Sequence, residues 1–346
     1  MNAQSATQVP FINTQDSPKI CLEELQAAFC YVKDIAEKIA AATCAFFMAV
    51  LNAPFQAIEC IKNKILFYAT ALILPSIRTD VSDYDYSNFV FTDDSCSTSV
   101  VNFPVEEGVE LSGIQITKNE RADIDSPWIV FFMPNGVVWE DYFDVLLQRH
   151  LNTGANILCY NYRGAGKNKV FPFDEKNLVE DGKLIVNELL KKANSKKVIL
   201  HGYSFGGSIA TQVARAFAEL GITLSVCNER SFTALADVIR GIFPWIIAEL
   251  ACFFANFLNW HLNSELALQK LKDNQVVVIS CEKDGLIAND ARFIQAVNRQ
   301  KEAGNIREEN VHEINFPLRT GFDHNRGWTN SEQRQYKNIV SAIAGG

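Results

Sequence analysis

The sequence predicts an α/β fold, a mostly parallel sheet flanked by helices, with a helical extension ahead of it. Three observations carry that expectation. From about residue 83, short apolar runs alternate with helical stretches, the grammar of strands joined by crossover helices. Several runs are apolar throughout instead of alternating, as strands buried on both faces require. One of them leads straight into a helix through a serine flanked by glycines.

The elements follow in order. Residues 1–20 are polar, contain Pro10 and Pro18, and suit a loosely held arm. They lack the charged start and apolar core of a secretory signal peptide, so the expected location is cytoplasmic. Leu22 to Ile77 is helical in pattern and apolar. Ile39–Ile58 carries no charged residue, a second apolar run covers Ile65–Leu74, and Lys33, Lys38, Lys62 and Lys64 flank them. A membrane span needs roughly 20 apolar residues, but Asn52, Pro54 and Gln56 interrupt this one. A span, an amphipathic hairpin on a bilayer surface and a buried helical extension all fit, the last being simplest. Peripheral membrane contact through residues 22–77 is therefore an open expectation. The domains expected are an arm and extension over 1–82 and an α/β domain over 83–346.

Within that domain, Glu110–Ile116 reads as an edge strand and Trp128–Met133 as a fully buried one. A helix around Trp139–His150, a strand at Asn156–Tyr162 and a helix over Glu175–Lys192 come next. Then a strand at Lys197–Tyr203 feeds a helix at Phe205–Glu219. Strands at Thr223–Glu229, Gln275–Cys281 and Val311–Phe316 and a closing helix at Ser331–Ile343 complete the series. Residues 233–272 break the alternation with a Phe-, Trp- and Ile-rich helical stretch. It lies where α/β sheets bind ligands, above the carboxyl ends of the strands, and is expected to form an apolar cap. A plain packing helix would look the same.

The segment His201-Gly202-Tyr203-Ser204-Phe205-Gly206-Gly207 is the most informative. Gly-x-Ser-x-Gly between a buried strand and a helix lifts a hydroxyl above the sheet on a strained turn. The residues two positions either side must be small because strand and helix nearly touch. Alone the pentapeptide is common; here Val198–Leu200 leads in, and Ile209, Ala210, Val213, Ala214 and Phe217 follow at helical spacing.

On these residues, the chain from about Asp83 resembles the α/β-hydrolase superfamily, closest to its lipase and esterase branch. The resemblance implies a serine hydrolase that cleaves a carboxylic ester or thioester, lipid or small. Ser204 would be the nucleophile. The acid follows a late strand, and Asp284 in Glu282-Lys283-Asp284-Gly285 fits best, with Asp290 and Glu282 as fallbacks. The general base follows the last strand, where His324 stands, and the order Ser, Asp, His matches the family. His312 falls in a strand, His150 at a helix end, His261 in the cap, and His201 reads as structural. The oxyanion hole implied by the family would use the backbone amides of Phe205 and Val137. Many relatives carry His-Gly in that second loop, where this chain has Asn135-Gly136.

Tyr162-Arg163-Gly164-Ala165-Gly166-Lys167-Asn168 is similar to the family's Arg-Gly-x-Gly-x-Ser loop, with Asn168 in place of serine. It is not a phosphate loop, because Asn161 occupies the first glycine position. Asn228-Glu229-Arg230-Ser231-Phe232 loosely resembles a segment of uncharacterised hydrolase-like proteins of intracellular bacteria. Here Arg230 is expected to pair with a nearby carboxylate rather than to touch substrate.

Composition narrows the classes further. A net charge of −8 and no basic stripe argue against nucleic acid as a partner. The nine cysteines are scattered without a Cys-x-x-Cys pair, which fits free thiols in a reducing compartment and no zinc site. Cys159, Cys227 and Cys281 lie in apolar runs and should pack as small hydrophobes. No dinucleotide fingerprint occurs, so no cofactor is expected. The alternative to an enzyme is a hydrolase-fold module that binds a ligand or membrane without catalysis.

Overall fold

The computed structural model describes residues 81, 84–118, 126–167, 170, 172, 174–193, 197–317 and 323–345. The expected arm and apolar extension, and the membrane contact drawn from residues 22–77, lie outside these described residues, as does Asn168. Eight strands form one sheet: β1 Ser97–Glu106, β2 Val109–Thr117, β3 Trp128–Phe132, β4 Asn156–Tyr160, β5 Val198–Tyr203, β6 Ser225–Glu229, β7 Val276–Cys281 and β8 Val311–Phe316. Their order across the sheet is β1-β2-β4-β3-β5-β6-β7-β8. Only the β1–β2 and β2–β4 pairings are antiparallel. The fold is that of an α/β hydrolase.

Eight helices accompany the sheet among the described residues: α1 Trp139–Thr153, α2 Glu175–Leu190, α3 Phe205–Ala218, α4 Leu235–Ile242, α5 Trp245–Phe257, α6 Ser264–Leu268, α7 Phe293–Glu302 and α8 Asn330–Gly345. Every residue of β3, β4, β5 and β6 is buried, which is why these runs are not amphipathic in sequence. None of the described helices is long and apolar enough to cross a membrane.

Two readings need correction. The strand expected at Glu110–Ile116 is not at an edge; β2 pairs with β1 on one side and β4 on the other. The strand at that edge is β1, in which exposed Asn102, Pro104 and Glu106 alternate with half-buried Phe103 and Val105, so it carries no continuous apolar run. Sequence pattern also passed over α7, an amphipathic helix between β7 and β8 that buries Phe293, Ala296 and Val297. The stretch 233–272 forms α4, α5 and α6. No residue of α4 is buried, and α5 buries only Ala248, Cys252 and Ala255.

Because β3 to β8 run parallel, the chain leaves β5, β6, β7 and β8 on the same sheet edge. Loops from distant parts of the sequence therefore meet there, at the edge where open α/β sheets bind ligands.

Candidate active site

The register sets the site. Gly202 pairs with Phe132 on one side, Tyr203 with Glu229 on the other, and Ser204 is the first residue beyond the sheet. Its backbone takes φ 52° and ψ −118°, a conformation that side-chain-bearing residues seldom adopt. The turn is held by the Ser204 amide on the Glu229 carbonyl (2.8 Å) and the Gly207 amide on the Ser204 carbonyl (3.0 Å). Its tightness explains the flanking glycines. A Cβ at Gly202 would stand 2.1 Å from the Gly206 carbonyl oxygen, and one at Gly206 would stand 2.1 Å from the Phe132 oxygen. Both neighbours are backbone, so neither position tolerates a side chain without moving strand or helix.

Asp284 follows β7 and is buried. Its Oδ1 accepts the amides of Ile287 (2.7 Å) and Leu286 (3.1 Å), which fixes the carboxylate plane. Exposed Glu282 and Asp290, the two fallbacks, face solvent instead. His324 follows β8 and is also buried. Its backbone amide donates to the Asp284 carbonyl (2.9 Å), so the acid loop and the histidine loop are joined through backbone as well as side chains. His324 Nδ1 lies 2.8 and 2.9 Å from the two Asp284 oxygens, and Nε2 lies 3.1 Å from Ser204 Oγ.

Proton positions follow from this arrangement. Burial alone would push the Asp284 carboxyl up, but the His324 hydrogen bond and charge and the two backbone amides hold it below the usual carboxylate range. An ionised Asp284 only accepts, so Nδ1 is the nitrogen that donates to it, which leaves Nε2 facing the serine hydroxyl. The three residues thus form one hydrogen-bonded line from a buried carboxylate to a half-buried hydroxyl, the geometry of a nucleophile, a base and its orienter. Ser204 precedes α3, so the Phe205 amide is among the helix's first N–H groups, which have no intrahelical partner. Val137 lies in the β3–α1 loop next to Gly136, which takes φ +80°.

The other histidines fall as expected from their positions. His201 is fully buried on β5, with Nε2 3.0 Å from Glu229 and Nδ1 2.7 Å from the Tyr336 hydroxyl. Burial, aided by the charge of Arg149, lowers its pKa to about 4. His150 bonds the Ala155 carbonyl, and His312 bonds Gln275 from β8. His261 lies beyond α5, against Asn256. Arg230 pairs with Glu229, as its sequence setting implied. Arg163 of the glycine loop makes a two-pronged pair with Asp181 (2.6 and 2.8 Å) and a further bond to Glu106. These bonds tie the loop to α2 and β1.

Sequence reasoning did not find Tyr203 as a support. Its hydroxyl donates to the His324 carbonyl (2.8 Å) and lies 2.8 Å from the Asn325 side-chain amide. A tyrosine next to a nucleophile looks like core, and only the fold shows where its hydroxyl ends. Cys96, Cys159, Cys227, Cys252 and Cys281 are buried free thiols, and no disulfide occurs among the described residues. Burial and the neighbouring Asp284 carboxylate push the Cys281 thiol up to about 12, which favours the protonated thiol over the thiolate. No cluster of ligating side chains capable of holding a metal ion occurs among the described residues. A cavity of about 410 Å³ lies between Tyr86, Asn102, Glu110, Ser112 and Lys167 on the β1–β2 side; no member of the Ser204 site lines it.

Comparison with known proteins gives the same frame. A family described as serine aminopeptidase, S33 matches residues 140–320. The chain is 24% identical over 177 residues to the multifunctional-autoprocessing repeats-in-toxin of Vibrio cholerae, covering 50% of this chain and 4% of that protein. It is 33% identical over 95 residues to an uncharacterized membrane protein of Saccharomyces cerevisiae, covering 26% of this chain and 32% of that one. The matched stretch is thus a small part of each relative's own length. Among solved structures, the Pyrococcus furiosus esterase Pf2001 aligns with 16% identity and a TM-score of 0.52, covering 77% of this chain and 94% of that chain. An α/β hydrolase (ABH) from Vibrio vulnificus aligns with 20% identity and a TM-score of 0.53, covering 71% and 81%. At such identities these structures share the fold.

Proposed function

The chain belongs to the serine aminopeptidase S33 family of α/β hydrolases, and from that premise we propose that it is a serine hydrolase cleaving a carboxylic ester or thioester. The observation that carries the reading is the 3.1 Å contact between Ser204 Oγ and a His324 whose other nitrogen is held by Asp284. In the proposed reaction, His324 Nε2 takes the Ser204 proton as Oγ attacks the carbonyl carbon. Asp284 keeps the proton on Nδ1 and stabilises the imidazolium. The alcohol or thiol leaves with the proton from Nε2, forming an acyl-Ser204 ester. Water, deprotonated by the same nitrogen, attacks that ester and releases the acid. The amides of Phe205 and Val137 are proposed to stabilise the tetrahedral oxyanion, each contributing roughly 3–4 kcal/mol.

An apolar acyl chain is the favoured substrate class. Support comes from α4 and α5, which follow β6 on the site's side of the sheet in sequence order and expose Ile242, Trp245, Ile246, Phe253 and Phe257. Hydrolysis of p-nitrophenyl esters of increasing chain length, with peptide p-nitroanilides in parallel, tests the reading. Turnover should fall by roughly 10⁵-fold or more in Ser204→Ala and rise with acyl length. Equal turnover in both proteins, or none in folded wild type, contradicts it; the second result favours a hydrolase-fold module without catalysis. Preference for the anilides would assign a peptidase instead.

A further inference from the structure

Two adjacent residues at the end of β6 connect the loops of the site, and their side chains have no part in the reaction written above. The Glu229 carbonyl holds the Ser204 amide, and the Arg230 amide donates to the Ile279 carbonyl (2.7 Å) on β7. Arg230 itself takes φ 46°, a left-handed conformation unusual for a residue with a long side chain. That conformation turns its guanidinium back toward the histidine loop. Nη1 donates to the carbonyls of Asp323 (3.2 Å) and Arg326 (2.8 Å), which bracket His324. Nη2 pairs with Glu229 Oε1.

Glu229 completes the connection. Its Oε1 also accepts the indole N–H of Trp328 (2.8 Å), farther along the same loop, and its Oε2 accepts Arg149 Nη2 (2.7 Å) and His201 Nε2 (3.0 Å). Arg149 in turn lies 4.1 Å over the Trp328 ring, and Arg230 lies 4.7 Å over the ring of Tyr203. Arg230 is 5% exposed and Glu229 fully enclosed.

We propose that Arg230, with Glu229 as its counter-charge, is a positioning residue that locks the His324 loop over Ser204. This rests on the reading of Ser204, Asp284 and His324 as the reacting set. A buried ion cluster is weak as a stabiliser, since apolar residues of similar volume often serve as well or better. What it supplies is direction: a planar fork reaches two carbonyls on one side and a carboxylate on the other, which no apolar or single-point donor does. The 3.1 Å Nε2–Oγ contact needs that precision, because displacement by about 1 Å costs on the order of 10²-fold in rate.

The test uses the full chain as wild type, Arg230→Met and Arg230→Lys. Two quantities are read: steady-state hydrolysis of p-nitrophenyl butyrate, and the low-field proton NMR resonance of His324 Nδ1–H, assigned by its loss in Asp284→Ala. Arg230→Met should lower kcat roughly 100-fold with KM unchanged and broaden or abolish the resonance. Arg230→Lys keeps the charge without the fork and should remain at least about tenfold below wild type; it carries the test if Arg230→Met does not fold. Wild-type kcat in Arg230→Met, full recovery in Arg230→Lys, or a loss of kcat with the resonance unmoved overturns the proposal. So does absence of the resonance from wild type. If wild type does not hydrolyse esters yet the resonance is present and lost in the variants, the clamp stands and the hydrolase reading fails.

Discussion

The carboxyl edge of the sheet and the α4–α5 pair are close in sequence and opposite in character. At the sheet edge, Ser204, Asp284, His324, Arg230 and Glu229 come from four separate strand ends, and nearly every polar group named there is buried and bonded. In α5, Trp245 is 72% exposed and Ile246 71%, and the one charge of the helix, Glu249, is paired with Arg240 on α4. One region keeps polar groups inside and the other keeps apolar groups outside. Each departs from the ordinary partition, and such departures are where physical reasoning from structure points to function rather than to packing.

The difference can be broken by substitution. A methyl group at Gly202 would meet backbone at 2.1 Å, so Gly202→Ala should destabilise by more than about 4 kcal/mol. Chemical denaturation measures this, and a loss below about 1 kcal/mol would show that the elbow yields more easily than its contacts imply.

The two regions should also differ in their response to acid. His201, with its pKa lowered to about 4, stays neutral in the fold while its unfolded counterpart titrates near 6.5. The unfolded chain therefore binds the proton first as pH falls. The associated stability is fully present above about pH 6.5 and is lost as pH drops to about 4, by roughly 3 kcal/mol. Asp284 and Glu229, both held low by their partners against the opposing effect of burial, continue the loss at lower pH. Stability measured across this range should slope downward in wild type and flatten in His201→Asn; an unchanged slope would remove His201 from the account.

The smallest effect belongs to the helices. Phe253 and Phe257 are 61% and 66% exposed, so Phe253→Ser or Phe257→Ser should each move the unfolding free energy by less than about 0.5 kcal/mol. A loss of about 2 kcal/mol in either would mean the face is covered in the folded chain, and the comparison would need redrawing.

Legibility in the sequence divided along physical lines. The elbow could be read because sterics leave one solution: glycine at 202 and 206, and a serine at positive φ between a buried strand and a helix. Asp284 and His324 could be placed only through the family resemblance, which sets an acid after a late strand and a histidine after the last one; the parallel topology brings those two loops to the edge that carries Ser204. The Glu229–Arg230 cluster could not, since Arg149 and Trp328 reach it from positions 80 and 99 residues away and carry no spacing signal. β1 escaped for a different reason. An edge strand needs no continuous apolar run, and Ser97–Glu106 has none.

The most direct test of the central claim is covalent. Folded protein treated with a fluorophosphonate, digested and mapped by mass spectrometry should carry one phosphonate on Ser204, and His324→Ala should slow the labelling sharply. Wild-type protein that stays unlabelled, or that takes the phosphonate at another residue, would contradict the assignment of Ser204 as an activated nucleophile.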